Sequence, residues 1–139
     1  MSLYFHGNAP LKFQHQYLVT RDYIIPFIEK AKPLSRDTRV LEIGCGEGGV
    51  LLAFAEKGCH CTGMDLSESK IISGKTLLKD QPEIHLFTAD IYDRKIMDEY
   101  KSSFDLIVLK DTIEHIPEQE KIMEHLPFFL KPGGMLFFA

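Results

Sequence analysis

The chain has 139 residues, 45% hydrophobic and 26% charged, the size and balance of one ordinary globular domain rather than a disordered or fibrous polymer. Sixteen basic residues against twenty acidic ones leave a net charge of −4 with no Lys/Arg block, so no nucleic-acid partner is indicated. The longest apolar runs, 50–55 and 104–109, fall far short of the roughly 20 residues a bilayer span needs, and no basic, apolar leader opens the sequence.

Residues 4–33 are rich in aromatics and histidine, with Tyr4, Phe5, His6, Phe13, His15, Tyr17, Tyr23 and Phe27 punctuated by Pro10, Pro26 and Pro33. They read as one or two helices that pack on a core or cover a ligand crevice, and Pro26 leaves the helix boundary open. His6, His15, Tyr17 and Arg21 are assigned no role, a packed aromatic face with a solvated Arg21 being the plainer expectation.

From Arg39 onward short β-type runs alternate with helical patterns, the signature of parallel βαβ units. Strands are expected at Arg39–Ile43, Cys59–Met64, Ile84–Ala89, Phe104–Leu109 and Met135–Ala139, several of them continuous apolar runs of the kind covered by helices on both faces. A helix from Gly48 to Lys57 carries Val50, Leu51, Phe54 and Ala55 at helical spacing and stops at Gly58. Ser67 is a good N-cap for the next, with Ile71 and Leu78 on one face. Asp93 to Ser103 holds at best a short helix. Pro117 suits a first helical position, Ile122, Leu126, Phe129 and Leu130 form a stripe, and Lys131–Gly134 forces a stop before the last strand.

Three cysteines, an odd number in a chain large enough to fold without staples, read as reduced thiols in a cytoplasmic setting. Cys59-His60-Cys61 has the look of a metal clip. Strand alternation puts the two thiols on one face and the imidazole on the other, so buried structural cysteines are expected instead.

The chemistry concentrates at Val40-Leu41-Glu42-Ile43-Gly44-Cys45-Gly46-Glu47-Gly48-Gly49, a strand running through glycines into a helix. Glycines serve where backbone turns sharply and a ligand must approach the main chain, which places a ligand at the carboxyl end of the first strand. Gly44, Gly46 and Gly49 also fit a dinucleotide fingerprint, a weak motif taken alone. Asp65 ends the second strand, 21 residues after Gly44, where a carboxylate can accept both hydroxyls of a ribose. Glu42 separates the readings, because a carboxylate in this crevice repels a pyrophosphate and welcomes a cationic ligand. Asp90 supplies a second acid at the end of the third strand, and Glu47 is expected to be solvated.

In this order, with the Phe104–Leu109 strand and the Leu130-Lys131-Pro132-Gly133-Gly134-Met135 segment, the residues resemble class I S-adenosylmethionine-dependent methyltransferases over about residues 38–139. The resemblance implies an α/β, Rossmann-like doubly wound and mostly parallel sheet with an N-terminal helical segment. It implies S-adenosylmethionine as methyl donor, S-adenosylhomocysteine as product and a small-molecule acceptor of the quinone-pathway kind. By resemblance Glu42 meets the amino group, Gly44, Cys45 and Gly46 line the amino-acid moiety, and Asp65 binds the ribose diol with Leu66 packed on adenine. Asp90 takes the exocyclic amine beside the Ile91 main chain, and Lys110 offers backbone to the methionine end. Residues 1–33 are then a helical or lid segment and 34–139 the cofactor-binding core.

Asp111, Glu114 and His115 stand at i, i+3 and i+4, one face of a helix if the segment is helical. They are candidate ligands for a divalent metal, a possibility less favoured than structural or substrate-orienting roles, and His115 is the candidate general base. The family's metal-dependent members carry Glu where this chain has the shorter Asp111. A catalytically silent cofactor-binding module and a nucleotide-dependent oxidoreductase are the alternatives. The family's sheet has seven strands in the order 3-2-1-4-5-7-6, so the chain is expected to be truncated after the fifth, lacking the C-terminal strands, with its activity in doubt and an apolar edge open to a second copy.

Overall fold

The computed structural model describes residues 9–110, 116 and 118–139. Five strands, β1 (Arg39–Ile43), β2 (His60–Asp65), β3 (Ile84–Thr88), β4 (Phe104–Leu109) and β5 (Leu130–Phe138), form one parallel sheet in the order β3-β2-β1-β4-β5. The chain builds outward from β1 on one side, then returns to start β4 on the other. That reversal leaves a crevice at the carboxyl ends of β1 and β4, where doubly wound sheets bind ligands.

Strand alternation divides the apolar side chains between two faces. Val40, Cys61, Leu86, Leu106 and Val108 point to one core with α2 (Ile25–Glu29), α3 (Gly49–Glu56) and α4 (Glu68–Leu77). Leu41, Ile43, Met64, Ile107 and Leu109 point to the other, covered by Ile96 and Met97 of α5 (Arg94–Glu99) and Ile122 of α6 (Gln119–His125), with Leu126 and Phe129 in the 3-10 turn after it. Both faces of the central strands are therefore covered, as the near-continuous burial of β1, β2 and β4 shows.

The helix ends follow local chemistry. Ser67 caps α4 by accepting the Lys70 N–H at 3.4 Å, and Asp93 caps α5 by accepting the Lys95 N–H at 2.9 Å. The α3 helix begins at Gly49 and not Gly48, whose φ of +89° lies outside helical space. The segment before β1 is α1 (Ala9–Val19), a π turn over Thr20–Ile24, and α2. Pro26 has no N–H to donate, and the N–H of the residue just before it, Ile25, reaches five residues back to the Thr20 carbonyl. Ile24, Ile25 and Ile28 are buried in the same core as β1 and α3.

One strand departs from expectation. Leu130 already pairs with Phe104, and the next pairing joins Met135 to Leu106, so Lys131–Gly134 is looped out within β5 and does not precede it. Pro132 cannot donate to a ladder, Gly133 takes φ +79°, and the Lys131 ammonium is held by Asp105 at 3.2 Å. Smaller shifts move β2 to start at His60 and β3 to end at Thr88. Pro117 lies outside the described residues. No helix among the described residues is long and apolar enough to cross a membrane.

Candidate functional site

The turn after β1 is fixed from its neighbour strand. The Gly44 and Cys45 N–H groups both donate to the Met64 carbonyl, at 2.8 and 3.1 Å, which folds the turn over the end of β2. The glycines beyond divide by task. Gly46 has φ +56°, and a Cβ there would meet no heavy atom within 4 Å, so its backbone borders open space. A Cβ on Gly49 would stand 2.5 Å from the Phe13 carbonyl oxygen, so this glycine lets α1 lie against the start of α3. The fingerprint thus mixes one crevice-facing glycine with one that serves helix packing.

Two acids stand at this turn in different states. Asp65, the last residue of β2, accepts the Gly46 N–H on Oδ2 at 2.8 Å and the Ser67 N–H on Oδ1 at 2.9 Å. A carboxylate has about four acceptor positions, so one remains on each oxygen, spaced to receive the two hydroxyls of a cis-diol. Glu42, on the central strand, is only 2% exposed, and its Oε1 is buried with no hydrogen-bond partner. Burial holds this carboxyl well above the usual range; Lys110 opposes the effect and Asp65 adds to it. A buried acid oxygen without a partner at a glycine turn calls for a donor, and an ammonium group fits that need.

The other expected residues take up places around this centre. Cys45 is buried with its Sγ 3.5 Å from the Gly46 carbonyl, and burial pushes its thiol far up. Leu66 is 75% exposed beside Asp65, an apolar side chain left in water. Asp90 is exposed and accepts the Tyr92 N–H at 2.9 Å, while the Ile91 side chain is buried. Lys110 follows β4 directly. Asp111, Glu114 and His115 lie outside the described residues, as does His6.

Three residues stand apart from what the sequence suggested or marked. Glu47 was expected in solvent and is 6% exposed; a Cβ on Gly74 of α4 would come within 2.6 Å of its carbonyl oxygen, so α4 packs down on it. Gln16 of α1 went unmarked, yet its Cβ lies 3.2 Å from where a Gly49 Cβ would stand, and its Oε1 is buried without a partner. Nothing in a helix of aromatics flags one glutamine. Tyr92 likewise buries its hydroxyl oxygen unpartnered, with the Lys121 ammonium 4.6 Å above its ring. Cys59 and Cys61 are buried free thiols, and burial pushes Cys59 up to about 11 and Cys61 higher, so both are protonated and inert at neutral pH.

Comparison with known proteins places the chain in a family. A family described as a methyltransferase domain matches residues 13–139. A ubiquinone biosynthesis O-methyltransferase from Coxiella burnetii is 33% identical over 116 residues, which cover 83% of this chain and 48% of that protein. Among solved structures, PKMT2 from Rickettsia typhi, in complex with AdoHcy, matches 76% of this chain and 21% of its own at 35% identity and a TM-score of 0.67. An S-adenosyl-L-methionine-dependent methyltransferase fold from Methanococcus maripaludis superposes with a TM-score of 0.77 over 89% of this chain and 57% of its own, at 17% identity. The chain spans about half the length of the curated relatives it matches.

Proposed function

The chain belongs to the class I S-adenosylmethionine-dependent methyltransferases, and from that premise we propose that it binds S-adenosylmethionine at the Glu42–Gly46–Asp65 crevice and methylates a small-molecule acceptor. The observation that carries the reading is Asp65, which is pinned to Gly46 and Ser67 and keeps one acceptor position free on each oxygen beside an open turn. The unpartnered Glu42 oxygen behind it supports a ligand with an ammonium group. The same crevice suits a dinucleotide less well, because a pyrophosphate brings negative charge toward the acids of this turn and offers the buried Glu42 oxygen no donor.

Within this reading Glu42 takes the amino group, Gly44, Cys45 and Gly46 border the amino-acid moiety, and Asp65 holds the ribose. Leu66 packs on the adenine, Asp90 and the Ile91 main chain take its exocyclic amine, and Lys110 lends backbone at the methionine end. When bound, S-adenosylmethionine supplies a methyl group on a cationic sulfur and departs as S-adenosylhomocysteine. The chain's own share is alignment of donor and acceptor at ~3–3.5 Å. A neutral amine acceptor needs no base, whereas a hydroxyl must lose its proton to one. His115 is the candidate for that role, and Asp111, Glu114 and His115 are the candidates for a metal, the less favoured arrangement. The Coxiella burnetii relative, a ubiquinone biosynthesis O-methyltransferase, supports an oxygen acceptor on a small molecule.

The proposal extends to the sheet edge. β5 ends one side of the sheet among the described residues, with Phe138 49% exposed. An open edge of this kind pairs with another strand, here one from a second copy; a clean monomer in light scattering at high concentration would count against it. Buried reduced thiols suit a cytoplasmic setting.

Thermal denaturation tests the core of the reading. S-adenosylhomocysteine raises the melting temperature and NAD does not, whereas a shift with NAD alone overturns the assignment. Because the chain spans half of its relatives, binding without turnover across an acceptor panel points to a cofactor-binding module instead. Melting that stays the same across EDTA, Mg²⁺ and Zn²⁺ with cofactor present argues against the metal.

A further inference from the structure

Glu42 sits at the point where three strand ends converge. It pairs through β1 with Gly63 of β2 and Val108 of β4, and it is nearly sealed from solvent. The charged and titratable groups that act on it among the described residues are Lys110 beyond β4 and Asp65 of β2, while Cys45 in the turn and Cys61 of β2 lie within its electrostatic reach. Burial holds both thiols protonated, so Lys110 is the one cation of this set. An ionised carboxylate with an unpartnered oxygen is the least favourable state such a pocket can hold, and a neutral carboxyl avoids it.

Resting on the reading above, we infer that Glu42 stands in the free site as a neutral acid and surrenders its proton when a ligand ammonium docks against it, so that cofactor binding releases a proton to solvent. The O–H bond of the carboxyl breaks, its electron pair stays on the oxygen, and the new carboxylate accepts a charge-assisted hydrogen bond from the ammonium. The site then tests its ligand twice. A nucleoside that fills the Asp65 end but lacks an amino-acid moiety leaves Glu42 neutral and gains nothing from it. Below the pH at which the free carboxyl ionises, affinity for an ammonium-bearing ligand falls about tenfold per pH unit, since each unit adds 1.36 kcal/mol to the cost of removing the proton.

The test is calorimetric titration of the chain with S-adenosylhomocysteine and with methylthioadenosine, which keeps the nucleoside thioether and lacks the amino acid. Each is run in two buffers of different protonation enthalpy, for wild type and Glu42→Gln. The expected result is proton release with S-adenosylhomocysteine on the wild type, none with methylthioadenosine, and none on Glu42→Gln. The variant binds S-adenosylhomocysteine about 10-fold or more weakly and with no pH slope in the weakly acid range. Infrared difference spectra of the wild type give a second readout that does not depend on the variant folding, the loss of a neutral-carboxyl band when S-adenosylhomocysteine binds. Tight binding without proton release, or release that persists in Glu42→Gln, overturns the inference and leaves the cofactor assignment standing. Failure of the wild type to bind S-adenosylhomocysteine at all overturns both.

Discussion

The Asp65 carboxylate accepts the Gly46 N–H at 2.8 Å, so the acid at the end of β2 shapes the turn that follows β1. The bond spans 19 residues of sequence and holds the open face of Gly46 toward the crevice. The other Asp65 oxygen accepts the Ser67 N–H and starts α4. One side chain therefore presets the glycine turn, the next helix and its own two remaining acceptor positions before any ligand arrives, which lowers the ordering cost of binding.

Asp65→Asn tests this division of labour. An amide offers a single acceptor oxygen and turns an N–H pair toward the second backbone donor, so one of Gly46 and Ser67 loses its partner. Leaving a part-buried N–H unpaired costs about 1–3 kcal/mol, a fall in melting temperature of a few degrees for a chain of this size. Affinity for S-adenosylhomocysteine falls at least about 10-fold, because the diol loses one of its two acceptors. Calorimetric titration checks the second effect and thermal melting the first; unchanged affinity would remove Asp65 from the binding site.

The two glycines respond to alanine in opposite ways. Gly49→Ala drives a Cβ to within 2.5 Å of the Phe13 carbonyl, a backbone atom that cannot swing aside, so α1 must lift from α3. Overpacking of this kind costs about 1–3 kcal/mol, read as a lower melting temperature with a parallel loss of α1 protection in hydrogen exchange. Gly46→Ala meets no neighbour and loses only the roughly 1–2 kcal/mol of a left-handed alanine, while its methyl stands in the space proposed for the ligand. Its expected signature is lost S-adenosylhomocysteine binding out of proportion to lost stability.

Much of this was legible in the order of the residues. The central strands β1 and β4 read from their apolar runs because both their faces are covered, and Ser67 and Gly58 mark helix ends through chemistry local to them. Lys131–Gly134 misled because a Pro-Gly-Gly run is a turn signal, and only pairing with Phe104 and Leu106 reveals that strand lies on both sides of it. Glu42 and Asp65 were picked out as acids at strand ends, but their opposite situations were not readable: burial and the donation from Gly46 and Ser67 arise from contacts distant in sequence. Gln16 carries no signal in the sequence and Glu47 reads there as solvated for the same reason, since their surroundings come from α1 and α4 packing onto the turn.

Asp105 offers a stability test at the opposite end of the sheet. Burial raises its carboxyl, yet the Arg39 N–H at 2.8 Å and the Lys131 ammonium at 3.2 Å outweigh that and hold it below the usual carboxylate range. A carboxyl lowered by folding stabilises above its unfolded pKa, and that contribution is lost as pH falls through the lowered value. Asp105→Ala should therefore lose about 1–2 kcal/mol at neutral pH, frees the loop at Lys131–Gly134, and converges on wild type in acid. Denaturant unfolding at neutral and acid pH decides it; a gap that stays constant into acid would rule out the charged bond as its source.

Glu42→Gln makes the opposite prediction for the ligand-free chain. Folding raises the Glu42 carboxyl above its unfolded value, so the folded state binds one proton more than the unfolded state between the two pKa values. Wild-type stability is thus fully present below the unfolded carboxylate pKa and declines as pH rises toward the folded one, by about 1.4 kcal/mol per pH unit. Glutamine cannot ionise, so the variant gains on wild type over that window and should be the more stable chain at neutral pH, though it binds ligand worse. The site would then hold a residue that costs the fold stability and that a ligand ammonium relieves. Denaturant unfolding of both chains across the window, with and without S-adenosylhomocysteine, checks it: the ligand should stabilise wild type more than the variant. A variant that is less stable than wild type by the same margin at every pH would mean that Glu42 does not titrate in folding.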